Sequence, residues 1–334
     1  MIDGHGDDLY RYPGRNPVNF SSNILGGVSH DGLMRHLARL ATLPSAYPDP
    51  TAHTLALRLG EEGTVEVTAG ATEAIYLIAM SRRGARSAIL GPTFREYEDA
   101  CRLHAHTVTH VTTLGATDGH DVIWICNPNN PTGTVIPKEE LLSAISRNPG
   151  SLYVIDQAYA PYTVRPLITD AEAVEAGNVI LLSSLTKRFS VPGLRVGYAV
   201  GAPGVIDTIR SMRMPWSVNA LAIEGAMWLL DHQDEYVIDA PALNGMALDM
   251  AGGLRRLGIW TSETECNFVL CRLPGTLRAA DLKGWLMEEA DILIRDASNF
   301  TGLTPAHFRL GAQTPQSDKQ LISQIERWMS LSRS

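Results

Sequence analysis

Lys187 stands in the run Ser183-Ser184-Leu185-Thr186-Lys187-Arg188, and Arg195 follows eight residues later in Gly193-Leu194-Arg195-Val196-Gly197. A primary amine set between hydroxyls and a fixed cation suits covalent capture of an aldehyde cofactor that also carries a phosphate. Ser184 and Thr186 can donate hydrogen bonds to phosphate oxygens, and Arg195 offers a two-pronged, permanently charged fork. Taken alone, a lysine beside serines also reads as a solvated surface residue, so the segments upstream must decide.

Asp156 closes the apolar run Ser151-Leu152-Tyr153-Val154-Ile155-Asp156 and is followed by Gln157-Ala158-Tyr159. The run reads as a short buried strand with a carboxylate at its C-terminal end. In open parallel sheets ligands bind off the carboxyl ends of the strands. A carboxylate placed there can pair with the protonated ring nitrogen of pyridoxal phosphate, and Tyr159 could hydrogen-bond the ring's phenolic oxygen. A capping aspartate at a strand-to-turn junction is the plainer alternative. Farther upstream, Val122-Ile123-Trp124-Ile125-Cys126 is a second buried strand, leading into Asn127-Pro128-Asn129-Asn130-Pro131-Thr132-Gly133. Two X-Pro steps and a glycine make that a rigid turn.

This heptapeptide, then Asp-x-x-Tyr, then Ser-x-x-Lys with an arginine eight residues on, resembles the fold-type I pyridoxal-phosphate enzymes of the aminotransferase class I/II family. The resemblance extends over nearly the whole chain. It implies pyridoxal 5'-phosphate as cofactor, with Lys187 at its aldehyde carbon, Asp156 at its ring nitrogen, and Asn130 and Tyr159 at its phenolic oxygen. It also places a phosphate cup at Gly70, Ala71 and Thr72. Those residues lie between the strand-like Val65-Glu66-Val67-Thr68 and an apolar helix, where backbone N–H groups and the helix dipole favour an anion. Phe94, after Ile89-Leu90-Gly91-Pro92-Thr93, takes the position of the aromatic that stacks on the ring; by itself it reads as core packing.

Arg309, in His307-Phe308-Arg309-Leu310-Gly311, matches the position where the family places an arginine facing an acidic group of the substrate. Arg295 lies fourteen residues earlier. Two arginines on one wall suggest a doubly anionic substrate, each fork clamping one carboxylate or phosphate; for Arg295 a surface salt bridge is the alternative. The segment from Ile292 to Leu303 is similar to the threonine-phosphate decarboxylases of cobalamin biosynthesis, close relatives of histidinol-phosphate aminotransferases. His5-Gly6-Asp7, Phe20-Ser21-Ser22-Asn23-Ile24 and Tyr47-Pro48-Asp49-Pro50 point the same way. The resemblance implies that His5 and Asn23 border the substrate cleft. It implies as well that Tyr47 reaches a partner's cofactor phosphate, in a homodimer with shared active sites. The arm departs from the family: His5-Gly6 runs into Asp7-Asp8 where a second glycine is usual, and Val18-Asn19-Phe20 arrives early.

The elements that must position these residues are those of an α/β chain of 334 residues, 45% hydrophobic. Strand-like and helix-like segments alternate from Thr64 to Ala202, which predicts a mostly parallel sheet flanked by helices. The expected division is an arm over 1–25 on the cleft wall, a large cofactor-binding domain over 26–215 and a smaller α+β domain over 216–334. Within the last, a βαβ-like sequence is expected through Phe268-Val269-Leu270, Leu282 to Met287 and Ile292-Leu293-Ile294. A net charge of −8 argues against nucleic acid or an acidic membrane as partner. No apolar run reaches transmembrane length and Met1-Ile2-Asp3-Gly4-His5 lacks a signal-peptide pattern. Cys101, Cys126, Cys266 and Cys271, without CxxC spacing, read as core residues of a cytoplasmic protein. The histidines show no metal-ligand pattern.

Two reactions share this machinery. Decarboxylation of L-threonine O-3-phosphate to (R)-1-amino-2-propanol O-2-phosphate is the leading expectation. Amino-group transfer from histidinol phosphate or a similar amine to 2-oxoglutarate is the alternative. Lys187, Asp156 and Asn130 together argue against a binding protein without catalysis.

Overall fold

The computed structural model describes residues 7–40 and 42–332. The chain enters through an arm carrying β1 (Val18–Asn19). It then builds a large sheet from β2 (Val65–Thr68), β3 (Arg86–Leu90), β4 (Thr107–Val111), β5 (Val122–Cys126), β6 (Leu152–Asp156), β7 (Val179–Ser184) and β8 (Gly197–Gly201). The strand order is β2-β8-β7-β6-β5-β3-β4. β8 runs antiparallel to both its neighbours, and the remaining pairs are parallel. β5 and β6 are apolar nearly throughout and buried at every position, as strands covered on both faces must be. Alternate side chains feed two clusters. Ile123, Ile125, Tyr153 and Ile155 pack on one face, and Val122, Trp124, Leu152 and Val154 on the other, against the helix Ala71–Ser81.

The parallel strands all end at one edge of the sheet. The antiparallel β8 begins there, which is why residues ahead of it join residues that follow the other strands. Consecutive strands β4 and β5 lie on opposite sides of β3, so the strand order reverses at β3 and opens a crevice beyond these carboxyl ends.

The small domain contributes β9 (Trp260–Thr261), β10 (Phe268–Arg272), β11 (Ile292–Leu293), β12 (Arg295–Asp296) and β13 (His307–Gly311). Four of them form an antiparallel sheet in the order β12-β13-β10-β9, backed by the helices Ala240–Arg256, Ala279–Ala290 and Pro315–Leu331. The expected βαβ pairing is not formed. The apolar run that reads as one strand divides at Ile294: β11 pairs in parallel with β1 of the arm, whereas β12 turns to pair with β13. The arm is thereby stitched to the small domain. The helix Ala220–Asp231, assigned from sequence to the 216–334 unit, instead puts Ala222, Ile223, Ala226, Leu229 and Leu230 into the core of the large domain. Among the described residues no helix is long and apolar enough to cross a membrane.

Candidate active site

A cavity of about 270 Å³ opens beyond the carboxyl ends of the large sheet and is roofed by the arm and the small domain. Its lining includes Lys187, Asp156, Asn130, Tyr159, Phe94, Ala71, Thr72, Ser184, Thr186, Arg195, Arg295 and Arg309, so the structure brings together most of the residues singled out from sequence. Gly70 lies just behind the lining, at φ +85°; a Cβ on it would sit 2.6 Å from Arg195 Nη2. Glycine there gives both the backbone turn into the helix and room for the guanidinium. The N-terminus of the helix Ala71–Ser81, Arg195 and the Ser184–Thr186 hydroxyls, themselves 2.6 Å apart, converge on one end of the cavity. That is a donor set for a phosphate.

Lys187 lies in the short helix that follows β7, half-buried with its exposure toward the cavity, and its Nζ donates to Ser22 O at 3.3 Å. Burial, then the Arg309 and Arg195 charges, lower its pKa to about 8. Asp156 is buried at the end of β6. Its Oδ2 accepts from the Tyr97 hydroxyl at 2.7 Å and its Oδ1 from Ala158 N–H at 2.9 Å. Burial nevertheless raises its pKa, with the two hydrogen bonds and Lys187 opposing. Such a carboxylate is poised to gain from a cationic donor. Cys126, the last residue of β5, also lines the cavity, and burial, reinforced by Asp156, pushes its thiol up to about 12.

The opposite wall is cationic. Arg295 and Arg309 are direct cross-strand partners on β12 and β13, both buried. Like charges facing each other across a ladder destabilise it, and burying an ion costs several kcal/mol. Among the described residues neither forms an ion pair with a carboxylate: Arg295 donates to Asn299 Oδ1 at 2.9 Å, and Arg309 to Asn130 Oδ1 at 2.6 Å and to Ser21 O. Burial lowers the pKa of Arg309 to about 10, which leaves it charged at neutral pH. Among the described residues, Arg309 Nε, Ser21 Oγ and both side-chain polar atoms of Asn23 are buried without a hydrogen-bond partner. Buried polar groups left open in one place mark where a ligand would complete the bonding.

Asn23 sits between Ser22 and Ile24, which both line the cavity, at φ +53° and in contact with Gly311. Tyr47 lies apart: it is 85% exposed and its ring is 5.1 Å from that of Trp216. His5 falls outside the described residues. Sequence reasoning did not single out Tyr97, the Ser21 and Ser22 carbonyls, Asp7 or Cys126 as site residues. Tyr97 was within reach, since it follows Phe94 by three positions on the opening turn of the helix Glu96–Leu103. The carbonyls carry no residue-type signal.

A family model described as aminotransferase class I and II matches residues 35–325. Histidinol-phosphate aminotransferase from Symbiobacterium thermophilum is 30% identical over 301 residues, covering 84% of this chain and 81% of the relative. A crystal structure of L-threonine-O-3-phosphate decarboxylase from Porphyromonas gingivalis superposes with a TM-score of 0.90 at 34% identity, over 94% of this chain and 99% of the other. Histidinol-phosphate aminotransferase from Sinorhizobium meliloti, solved in complex with pyridoxal 5'-phosphate, shares the fold with a TM-score of 0.82 at 17% identity, over 96% and 94% of the two chains. The residues present here fit that cofactor: a phosphate donor set at one end, an amine between, and a buried carboxylate that forms no salt bridge among the described residues.

Proposed function

The chain belongs to the aminotransferase class I and II family of pyridoxal-phosphate-dependent enzymes, and from that premise we propose that it decarboxylates L-threonine O-3-phosphate to (R)-1-amino-2-propanol O-2-phosphate. The observation that carries this reading is the pair Arg295 and Arg309, two buried guanidinium groups in cross-strand register with no carboxylate paired to either among the described residues. A substrate with two anionic groups offsets the cost of burying them.

Gly70, Ala71, Thr72, Ser184, Thr186 and Arg195 would hold the cofactor phosphate, Asp156 its ring nitrogen, and Asn130 and Tyr159 its phenolic oxygen, with Phe94 against the ring. Bound there, pyridoxal phosphate supplies a carbonyl to condense with the substrate amine and a ring that withdraws electrons from the α-carbon. Asp156, its two oxygens held by Tyr97 and Ala158, would hold a ring-nitrogen proton in place. Lys187, with its lowered pKa, is neutral in a useful fraction near pH 8 and can carry a proton to or from the α-carbon. Arg295 and Arg309 hold the substrate's anionic groups, and which group each takes decides which bond at the α-carbon is presented for cleavage. Asn23 would border the substrate cleft from the arm, and His5 is carried as a substrate-binding residue on the resemblance alone. We place the exposed Tyr47 toward a second subunit's cofactor phosphate in a cytoplasmic homodimer.

The test is incubation of cofactor-loaded protein with L-threonine O-3-phosphate and mass spectrometry of the product. Loss of CO2 with appearance of an aminopropanol phosphate is the expected outcome. Unchanged substrate, together with conversion of histidinol phosphate in the presence of 2-oxoglutarate, would replace decarboxylation by amino-group transfer.

A further inference from the structure

Outside the cavity one buried carboxylate joins the two domains. Glu98 lies on the helix Glu96–Leu103, just beyond Phe94. Its Oε1 pairs with Arg102 at 2.5 Å, and its Oε2 faces His110 Nε2 at 3.1 Å. The same Oε2 accepts the hydroxyl of Thr301, in the small domain, at 2.7 Å. Burial works to raise the Glu98 pKa but is outweighed by Thr301, His110 and Arg102, which leave it below the usual value and the group ionised. Thr301 continues a turn closed by Phe300 N–H to Ala297 O and Leu303 N–H to Phe300 O. That turn is what fixes Arg295: Asn299 Oδ1 accepts from its Nη2 at 2.9 Å, and the Phe300 ring centre lies 5.5 Å from its Cζ. A continuous path of contacts therefore runs from a helix of the large domain to a guanidinium on the cavity wall.

The geometry points to Glu98 as a positioning residue: by holding Thr301 it sets the turn that orients Arg295, so recognition of the substrate's second anionic group depends on a contact made across the cleft. The inference rests on the reading of Arg295 as an anion-binding residue. A hydroxyl donating to an ionised carboxylate is among the stronger neutral-to-charged contacts. The guanidinium fork is directional, so a turn that drifts loses the two-pronged geometry while the charge stays in place. The effect belongs in substrate affinity and leaves the proton transfer at Lys187 untouched.

Steady-state kinetics of the cofactor-loaded enzyme with L-threonine O-3-phosphate separate these parts, with Arg295→Lys as reference. Thr301→Val and Glu98→Ala are expected to raise KM about 3–10-fold, the range for losing one typical hydrogen bond, with kcat within about twofold of wild type. The double variant should be no worse than the worse single, because both remove one contact. Glu98→Gln keeps an acceptor oxygen for Thr301 without the charge and should fall between wild type and Glu98→Ala. An unchanged Tm and cofactor content in Thr301→Val exclude a folding defect as the source. KM unchanged in Thr301→Val and Glu98→Ala, while Arg295→Lys raises it, would overturn the positioning role and leave the reading of Arg295 standing. An equal rise in Glu98→Gln and Glu98→Ala would also overturn it, by assigning the effect to the charges on Arg102 and His110. If Arg295→Lys has no effect, or the wild type does not turn the compound over, the parent reading fails and this inference with it.

Discussion

The floor and the wall of the cavity are built by opposite means. On the floor, each functional residue follows directly from the end of a strand: Asn130 after β5, Asp156 at the end of β6, Lys187 after β7. Their mutual placement is a property of neighbouring parallel strands in a rigid, doubly covered sheet. On the wall, Arg309 is held by Ser21 O of the arm and Asn130 of the large domain, and Arg295 by a turn tied to Glu98. Those contacts join segments far apart in the chain. The floor is therefore fixed before anything binds, whereas the wall depends on arm, small domain and large domain meeting correctly. On the proposed reading, chemistry resides in the first and selectivity in the second.

The largest test of this division is Lys187→Ala, which should lower kcat by at least about 10²–10⁴-fold, the usual contribution of a positioned proton carrier. Non-covalent cofactor retention, read by absorbance after desalting, should survive; near wild-type turnover would remove Lys187 from the floor. Next comes Asp156→Asn. An uncharged amide cannot hold a ring proton by charge, and a loss of roughly 100-fold in kcat, about 2.7 kcal/mol, is expected with KM little changed. A KM effect instead would move Asp156 to the substrate side. Arg309→Lys probes the wall: losing the fork should raise KM about tenfold with a smaller change in kcat. A fall confined to kcat would show that wall and floor are not separable.

The smallest expected effect concerns pH. Because the Lys187 pKa is lowered to about 8, the neutral amine that captures an aldehyde grows as pH rises through about 8, well below the ordinary lysine value. The rate at which cofactor-free protein takes up pyridoxal phosphate should follow that rise and level off above it. A rise continuing toward the ordinary lysine range would show that burial, Arg309 and Arg195 do not act on the amine.

The same division explains what could be read in advance. β5 and β6 announce themselves as unbroken apolar runs, and the residues that follow them are adjacent in sequence to the strands that aim them, so the floor was legible residue by residue. Ile292-Leu293-Ile294 also reads as one strand, but which partner each part takes is a long-range choice. Val18 pairs with Ile292 and Asn19 with Leu293, while Arg295 finds Arg309. Nothing local encodes that division. The helix Ala220–Asp231 is apolar around most of its circumference, with Leu229, Leu230, Ala226 and Ile223 all buried, so its pattern could not say which core it would join. The backbone oxygens of Ser21 and Ser22, which accept from Arg309 and Lys187, were invisible because every residue has one.

Burial of the site has one more consequence. On the proposed reading the cavity must keep an aldehyde, and its described lining includes both an amine and a thiol, Lys187 and Cys126. Low polarity disfavours whichever form is charged, and the two nucleophiles differ in which form reacts. The amine reacts neutral, so burial brings it into play near pH 8; the thiol reacts as thiolate, so a pKa of about 12 leaves on the order of one part in 10⁵ reactive at neutral pH. One desolvated environment thus wakes the nitrogen and silences the sulfur of the same cavity, and the site is selective between the two before any substrate arrives.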